Sequence, residues 1–212
     1  RCKNLIKPMI LGLTGPTGSG KSTASAAMSD CDCVVLDADR EAREVVQPGS
    51  PCVEELVAEF GEEIRKEDGG IVRSRLAQLA FSSPEKTKRL NEITHPWIIK
   101  IMLQKIEELT NEGKCDIIVL DTPLLFEAHM EKICDFVVTV TAPLEKRIER
   151  IMKRDAIDRD AALLRISAQN PERYYTTRAD YILYSNRRTD DLYHDAVALI
   201  EQLREEQNVK RS

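Results

Sequence analysis

A buried strand, a glycine-rich turn and a helix follow one another near the start of the sequence. Residues 9–14, MILGLT, form an apolar run that is typical of a strand buried on both faces of a parallel sheet. The turn at 15–22 reads GPTGSGKS, and helix-forming residues continue from Lys21 to about Ser29. Because few architectures contain a strand that leads directly into such a turn and helix, this segment constrains the fold more than any other.

The turn fits the pattern G-x-x-x-x-G-K-[ST], which wraps the phosphates of a nucleotide. Glycines reach backbone angles closed to other residues, so successive N–H groups can point into the turn, and the helix start adds its positive dipole end. We expect Lys21 to reach the β- and γ-phosphates and the Ser22 hydroxyl to bind Mg²⁺. The residues of this segment predicted to bind ATP are Gly15, Thr17, Gly18, Ser19, Gly20, Lys21, Ser22 and Thr23. The alternative is a glycine-rich turn with an incidental Lys-Ser pair.

Further buried strands alternate with helical patterns along the chain. Apolar runs predict strands at 34–36, 117–121, 136–140 and 179–184. This alternation indicates an α/β fold of the P-loop NTPase type, with a mainly parallel sheet flanked by helices. Within the helical stretch that opens at Ser83-Pro84, the pair His95-Pro96 predicts an interruption, since proline disrupts a helix interior.

A long helical block separates the second strand from the third. Residues 40–112 are too long for a simple crossover, and we interpret them as a helical insertion that forms the wall of a substrate cleft. The highly charged stretch 154–175 is interpreted as a lid that closes over ATP. We therefore predict one kinase domain, whose sheet core comprises about 9–39, 113–153 and 176–207.

Composition and charge restrict the possible function classes. The 212-residue chain has a net charge of −5, which argues against a general nucleic-acid binder. No apolar run approaches the length of a membrane span or of a signal sequence, so we expect a cytoplasmic protein without a membrane partner. Six cysteines without a Cys-x-x-Cys pair indicate reduced, structural thiols. The sequence does not define an oligomeric state.

Acidic residues follow two of the predicted strands. Asp37 and Asp39 close the second strand, and Asp121 ends the third. Because strand C-termini in an open α/β sheet face the ligand crevice, Asp39 is a candidate to take a proton from an attacking hydroxyl, with Asp37 supporting it or the metal. Asp121 suits a role in holding Mg²⁺, directly or through water. The alternative for each is a turn former or a helix cap.

Basic residues cluster on the helix that precedes the predicted lid. Arg147, Arg150 and Arg154 share this helix, and arginine suits the charge that spreads over the γ-phosphoryl oxygens during transfer. We assign Arg150 and Arg154 to ATP. The alternative is a solvated helix face. His95, considered alone, is more typical of a helix break than of a catalytic residue.

An ordered set of motifs resembles the dephospho-coenzyme A kinase family from about Ile10 to Leu203. The glycine-rich loop is shared with many unrelated NTPases, whereas its combination with Asp37-Ala38-Asp39, His95-Pro96 and Pro-Leu-Leu-Phe-Glu at 123–127 is much more selective. The other matching segments are 42–46, 48–49, 70–73, 90–96, 150–154, Arg165 with Gln169, and Ala179-Asp180.

The resemblance implies ATP-dependent phosphorylation of the ribose 3′-hydroxyl of dephospho-coenzyme A, the last step of coenzyme A synthesis. The implied partners are therefore ATP and dephospho-coenzyme A, with Mg²⁺ as the cofactor. Members of the family consist of a P-loop sheet, a helical acceptor domain and a lid. The resemblance also implies that Asp39 is the general base. The residues assigned to the acceptor are Asp37, Asp39, Arg73, His95 and Leu124.

Two positions depart from the family pattern. Pro16 stands where the family usually has Gly or another small residue. After the last strand, the family has an Asp-Asn-Ser-Gly-like turn that contacts adenine, whereas residues 184–188 here read Tyr-Ser-Asn-Arg-Arg. We assign the adenine contact to Asn186, assuming a shift of one residue.

The predicted mechanism is in-line transfer, in which Lys21 and Arg154 neutralise developing charge while Asp39 takes the hydroxyl proton. The nearest rival is another small-molecule or nucleoside kinase of similar architecture. A GTPase switch is disfavoured because the tetrapeptide Asn-Lys-x-Asp, typical of guanine recognition, does not occur. A protein that binds ATP without transferring phosphate is the remaining alternative.

Overall fold

A five-stranded sheet forms the centre of the computed structural model, which describes residues 7–186 and 188–211. Its strand order is β2-β3-β1-β4-β5. Strand β1 pairs in parallel with both β3 and β4, and β4 pairs in parallel with β5. The strands are β1 (Met9–Thr14), β2 (Val34–Asp37), β3 (Ile117–Asp121), β4 (Phe136–Thr141) and β5 (Tyr181–Tyr184). The predicted α/β fold with a parallel sheet is thus confirmed.

Helices connect the strands, as the alternating pattern predicts. They are α1 (Lys21–Asp30), α2 (Ala38–Glu44), α3 (Pro51–Phe60), α4 (Arg73–Ala80), α5 (Pro84–Glu112), α6 (Leu144–Asp155), α7 (Arg159–Ser167), α8 (Glu172–Thr176) and α9 (Thr189–Arg211). The chain forms two compact units. One comprises the described residues up to Val35 together with those from Glu112 onward, and the other is Leu36–Asn111.

The core of the sheet unit is built on β1, which is buried along its whole length. Leu11 and Leu13 are fully buried and belong to a cluster that includes residues of α1 and α9. The apolar stripe of α9 contributes Leu192 and Ala196, both of which are buried. Each buried Leu contributes about 1.5–3 kcal/mol through the hydrophobic effect, so this packing holds α1 directly behind the glycine-rich turn.

The unit Leu36–Asn111 has its own apolar core, and one prediction about its longest helix is wrong. Helix α5 continues through Pro96 without a break. Ile93 on one side of the proline is buried in this core, and Trp97 and Ile101 on the other side pack against it. Proline in a helix interior costs about 3 kcal/mol. Burial of Ile93, Met102 and Ile106 of α5, each contributing about 1.5–3 kcal/mol, outweighs that cost.

The segment interpreted as a lid contains the short helices α7 and α8. Ala162 of α7 packs on Ile148 and Ile151 of α6 in a small apolar cluster. Arg159 and Glu145 form a bidentate ion pair between these helices, with both distances 2.8 Å. The division into sheet core, acceptor-binding insertion and lid stays a prediction.

The cysteines in the described ranges are free thiols. Burial raises the pKa of Cys33, Cys52 and Cys134 to about 12, so these thiols stay protonated at neutral pH. Cys2 lies outside the described residues.

None of the helices in the described part of the chain is both long and apolar enough to cross a membrane.

We expect Gly12→Ala, a substitution in the middle of β1, to destabilise the fold by about 1–3 kcal/mol through overpacking. An added Cβ would lie 2.8 Å from Leu125 Cδ2 and 2.9 Å from Cys134 Sγ. Urea unfolding measures the loss. In a Leu125→Ala background the same substitution should cost less, because the colliding methyl groups are gone. An equal loss in both backgrounds would contradict this account.

Candidate active site

The glycine-rich loop, 15–22, connects β1 to α1 and passes very close to other backbone segments. A Cβ on Gly15 would lie 2.3 Å from the Val140 carbonyl oxygen at the end of β4. Gly18 has φ +75°, and a Cβ there would lie 2.7 Å from the Arg147 carbonyl oxygen. Any larger residue would move the loop away from β4 and α6, so the glycines are required by close approach.

Several backbone N–H groups of the loop are available to a ligand. Within the described residues, the N–H groups of Gly18, Gly20, Lys21 and Ser22 donate to no protein acceptor. The last two lie at the first turn of α1, where the helix dipole is positive. Ser19 is buried, and its Oγ has no protein partner within the same described ranges. Free donors at a helix N-terminus form an anion-binding site.

Lys21 forms an ion pair with Asp121, the last residue of β3. Asp121 is buried, whereas the Lys21 side chain is partly exposed at the loop. Parallel pairing of β1 with β3 explains this meeting, because both carboxyl ends lie at the same edge of the sheet. Two predicted site residues therefore lie in direct contact.

Two arginines of α6 bind the carbonyl oxygens of the loop. Arg150 Nη1 donates to the carbonyl oxygens of Gly18 at 3.1 Å and Ser19 at 2.9 Å, and its Nη2 donates to Ser185 Oγ at 2.7 Å. Arg147 Nε donates to the Thr17 carbonyl oxygen at 2.9 Å. Arg150, which was assigned to ATP, thus holds the backbone of the loop in this structure.

Arg147 supports the glycine-rich loop, a role that the sequence alone does not assign to it. Its side chain is buried, and burial lowers the pKa of its guanidinium. The available signal was its spacing of three residues from Arg150, which places both on one helix face. An arginine desolvated in this way indicates a structural role under the loop rather than a solvated surface position.

Arg154, at the end of α6, lies beside Thr17. Its Nη2 is 3.5 Å from Thr17 Oγ1, and its guanidinium binds both carboxylate oxygens of Asp155 at 2.8 and 2.9 Å. Arg165 of α7 forms an ion pair with the same carboxylate. The structure therefore places Arg154 near the loop, where its positive charge is paired with the Asp155 carboxylate.

Ser185 and Asn186 follow β5 at the same edge of the sheet. Ser185 is buried, and its N–H donates to the Thr141 carbonyl oxygen at 2.7 Å. Asn186 is exposed, and its carbonyl oxygen accepts from Lys146 Nζ at 2.6 Å. The adenine contact assigned to Asn186 stays a prediction.

Most residues assigned to the acceptor lie in the unit Leu36–Asn111. Asp37 ends β2 and caps α2, because its Oδ1 accepts from the Asp39 N–H at 2.9 Å. The expectation that Asp39 closes the strand is therefore wrong, since Asp39 lies in the first helical turn, with its side chain exposed. Arg73 begins α4, and its Nη2 donates to the Arg43 carbonyl oxygen at 3.3 Å. His95 is half-buried within α5.

Leu124, also assigned to the acceptor, lies in the sheet unit and lines a cleft of about 250 Å³. The cleft runs between the segment after β3 and the segment around α8, and its polar lining includes Glu127, Gln169 and Asn170. Asn170 Nδ2 donates to Glu127 Oε1 at 2.8 Å. Burial raises the pKa of Tyr175, which also lines the cleft, to about 12.

No cluster of three or more His, Cys, Asp or Glu side chains suited to a metal ion occurs in residues 7–186 and 188–211. Magnesium in nucleotide enzymes is usually bound by one or two protein groups together with phosphates. The Ser22 hydroxyl and the Asp121 carboxylate supply oxygen atoms of the type that this ion prefers.

Comparison with known proteins gives consistent matches over nearly the whole chain. The sequence model of the family described as dephospho-CoA kinase matches residues 9–191. A dephospho-CoA kinase of Carboxydothermus hydrogenoformans is 43% identical over 84% of this chain and 86% of its own length. One from Listeria monocytogenes is 36% identical over 90% of this chain and 95% of its own. A crystal structure from Thermus thermophilus superposes with a TM-score of 0.75 at 33% identity, covering 92% of this chain and 98% of the other.

We expect Arg150→Lys to weaken binding of ATP about tenfold while the protein remains folded. A lysine cannot reproduce the planar fork that holds two carbonyl oxygens and the Ser185 hydroxyl together, and loss of hydrogen bonds to a charged donor is worth about 1.5–3 kcal/mol. Calorimetric titration with ATP measures the change. Lys153→Arg, an exposed change on the same helix, serves as the control, and unaltered affinity of Arg150→Lys would refute the role.

Proposed function

The chain belongs to the dephospho-CoA kinase family, and we propose that it transfers the γ-phosphoryl group of ATP to the ribose 3′-hydroxyl of dephospho-coenzyme A. The products are coenzyme A and ADP, and the reaction is the last step of coenzyme A biosynthesis. The enzyme is accordingly a phosphotransferase with an alcohol as acceptor.

The observation that carries this proposal is the loop between β1 and α1. Its free N–H groups, the positive end of α1 and the ammonium group of Lys21 together form a site for a triphosphate. Phosphoryl transfer demands mainly positioning and charge stabilisation from a protein. The loop provides both for the donor, which supports ATP as the co-substrate.

Lys21 and Arg154 are proposed to neutralise the charge that develops on the transferring group. Arg154 is supported in this role by its position beside Thr17. Ser22 and Asp121 would hold Mg²⁺, which neutralises charge on the β- and γ-phosphates when bound. The oxygen donors of these two residues suit the ion, and Asp121 already pairs with a cation in this structure.

Asp39 is proposed to accept the proton of the attacking hydroxyl. Its exposed carboxylate lies in the first turn of α2, while its backbone N–H is held by Asp37. Asp37, Arg73, His95 and Leu124 are proposed to contact the acceptor. Residues 40–112 are proposed to form the acceptor-binding insertion, and residues 154–175 are proposed to form a lid.

The remaining assignments are supported by sequence patterns and by the family. Asn186 is proposed to contact adenine, because it follows β5 where the family places its adenine-binding turn. A cytoplasmic location and the absence of a nucleic-acid partner are proposed from charge and composition.

A coupled assay of ADP release tests the proposal. The purified chain should convert ATP to ADP when offered dephospho-coenzyme A, and the product should carry a 3′-phosphate by mass and nuclear magnetic resonance spectra. Without an acceptor, or with nucleosides and nucleoside monophosphates, release should stay near background. Equal turnover with a nucleoside would point to a different kinase, and binding of ATP without any transfer would point to a regulator.

Asp39→Asn should lower kcat about 10²–10⁴-fold, the usual contribution of a general base. The asparagine keeps the shape and the backbone N–H bond to Asp37, so the melting temperature should not change. Asp32→Asn, an exposed change in the sheet unit, is the matched control. Near-normal turnover of Asp39→Asn would disprove the base assignment. Lys21 is less suitable for this test, because its replacement leaves the buried Asp121 carboxylate unpaired.

A further inference from the structure

Gln169, in the segment between α7 and α8, contacts the glycine-rich loop directly. Its Oε1 accepts a hydrogen bond from the Thr17 N–H at 2.8 Å. A carboxamide has an acceptor oxygen and a donor nitrogen on the same rigid plane. The bond to Thr17 therefore fixes which way the group is turned and leaves Nε2 on the opposite side.

The donor end of Gln169 has no protein partner in the part of the chain that the structure describes. Gln169 is half-buried and lines the cleft that Leu124 also lines. One side chain thus joins the two features, since its oxygen holds the loop and its remaining surface borders the cleft. A ligand group in the cleft next to Gln169 lies within one side-chain length of Thr17.

The cleft has the size and chemistry of a subsite for a sugar ring. Its volume of about 250 Å³ is below the range of about 300–1,000 Å³ for whole drug-sized ligands. Leu124 and Tyr175 provide apolar surface, while Glu127, Gln169 and Asn170 provide polar groups. A ribose has the corresponding mixture of apolar ring atoms and hydroxyl groups.

We propose that this cleft receives the ribose of the acceptor and that Gln169 Nε2 donates a hydrogen bond to the ribose 2′-oxygen. The inference rests on the proposed function, because it takes dephospho-coenzyme A as the acceptor. Gln169 would then be an acceptor-binding residue that also fixes the loop, so that one amide sets the distance between the ribose and the triphosphate.

The chemistry of the reaction favours the 2′-oxygen over the 3′-oxygen as the partner. The 3′-oxygen attacks phosphorus with a lone pair, and a hydrogen bond donated to that lone pair would oppose the attack. The 2′-hydroxyl on the neighbouring carbon does not react and can accept the bond throughout. Holding it also selects which of the two hydroxyls faces the triphosphate, which makes Gln169 a determinant of 3′ specificity.

The test compares dephospho-coenzyme A with its 2′-deoxy analogue in the wild-type chain and in Gln169→Met. A neutral hydrogen bond contributes about 0.5–1.5 kcal/mol. The wild type should therefore prefer the natural acceptor in kcat/KM by about two- to thirteenfold. Gln169→Met, which has similar size but no donor, should lose this preference. Any damage to the loop affects both acceptors equally and cancels in the ratio.

Calorimetric Kd values for the two acceptors give the corresponding ratio for binding alone, so an inactive variant still yields a result. Gln202→Met, which removes an exposed amide of α9, should keep the wild-type ratio. An unchanged preference in Gln169→Met overturns the inference. This is also the result expected if Nε2 of the wild type contacts a γ-phosphoryl oxygen and not the ribose. A wild type without any preference overturns it too. Failure of the proposed function appears separately, as absence of wild-type phosphorylation of dephospho-coenzyme A.

Discussion

The binding of the loop's carbonyl oxygens by α6 is the interaction on which the rest of the site depends. A loop can turn its N–H groups towards an anion only if its carbonyl oxygens find donors on the other side. Arg147 binds the Thr17 carbonyl, and Arg150 binds those of Gly18 and Ser19. Because a guanidinium carries several donors in a rigid plane, two side chains satisfy three consecutive carbonyl groups. The proposed phosphate-binding surface is therefore the opposite side of the loop, where the N–H groups of Gly18, Gly20, Lys21 and Ser22 find no acceptor among the described residues.

The ion pair between Lys21 and Asp121 bears on which cation neutralises Asp121 when Lys21 binds a triphosphate. Both groups lie at the carboxyl edge of the sheet, and Asp121 is buried. If the Lys21 ammonium turns to a triphosphate, the buried carboxylate requires another cation, since an unpaired buried charge is strongly destabilising. Mg²⁺ bound to the same triphosphate would supply that cation. The proposed metal role of Asp121 thus follows from electrostatics as well as from its place after β3.

Local patterns predicted the strand, loop and helix at 9–30 well, because their signals are contained in a few consecutive residues. The sequence does not predict Arg147 and Gln169 as loop contacts, because their common partner is distant in sequence. Thr17 lies 130 positions from Arg147 and 152 positions from Gln169. The pairing of β1 with β4 brings the start of α6 next to the loop. The break expected at Pro96 failed for a similar reason, since the tertiary core that holds α5 cannot be inferred from the local sequence.

The two halves of the proposed reaction lie largely on different compact units. The loop, Lys21, Asp121 and the arginines of α6 all belong to the sheet unit, so the residues proposed to bind ATP lie within it. Asp39, Arg73 and His95 belong to the unit Leu36–Asn111. Gln169 is placed differently, because it contacts the donor loop and also borders a cleft within the sheet unit. If that cleft holds the ribose, the reacting end of the acceptor is positioned by the same unit that contains the proposed ATP site.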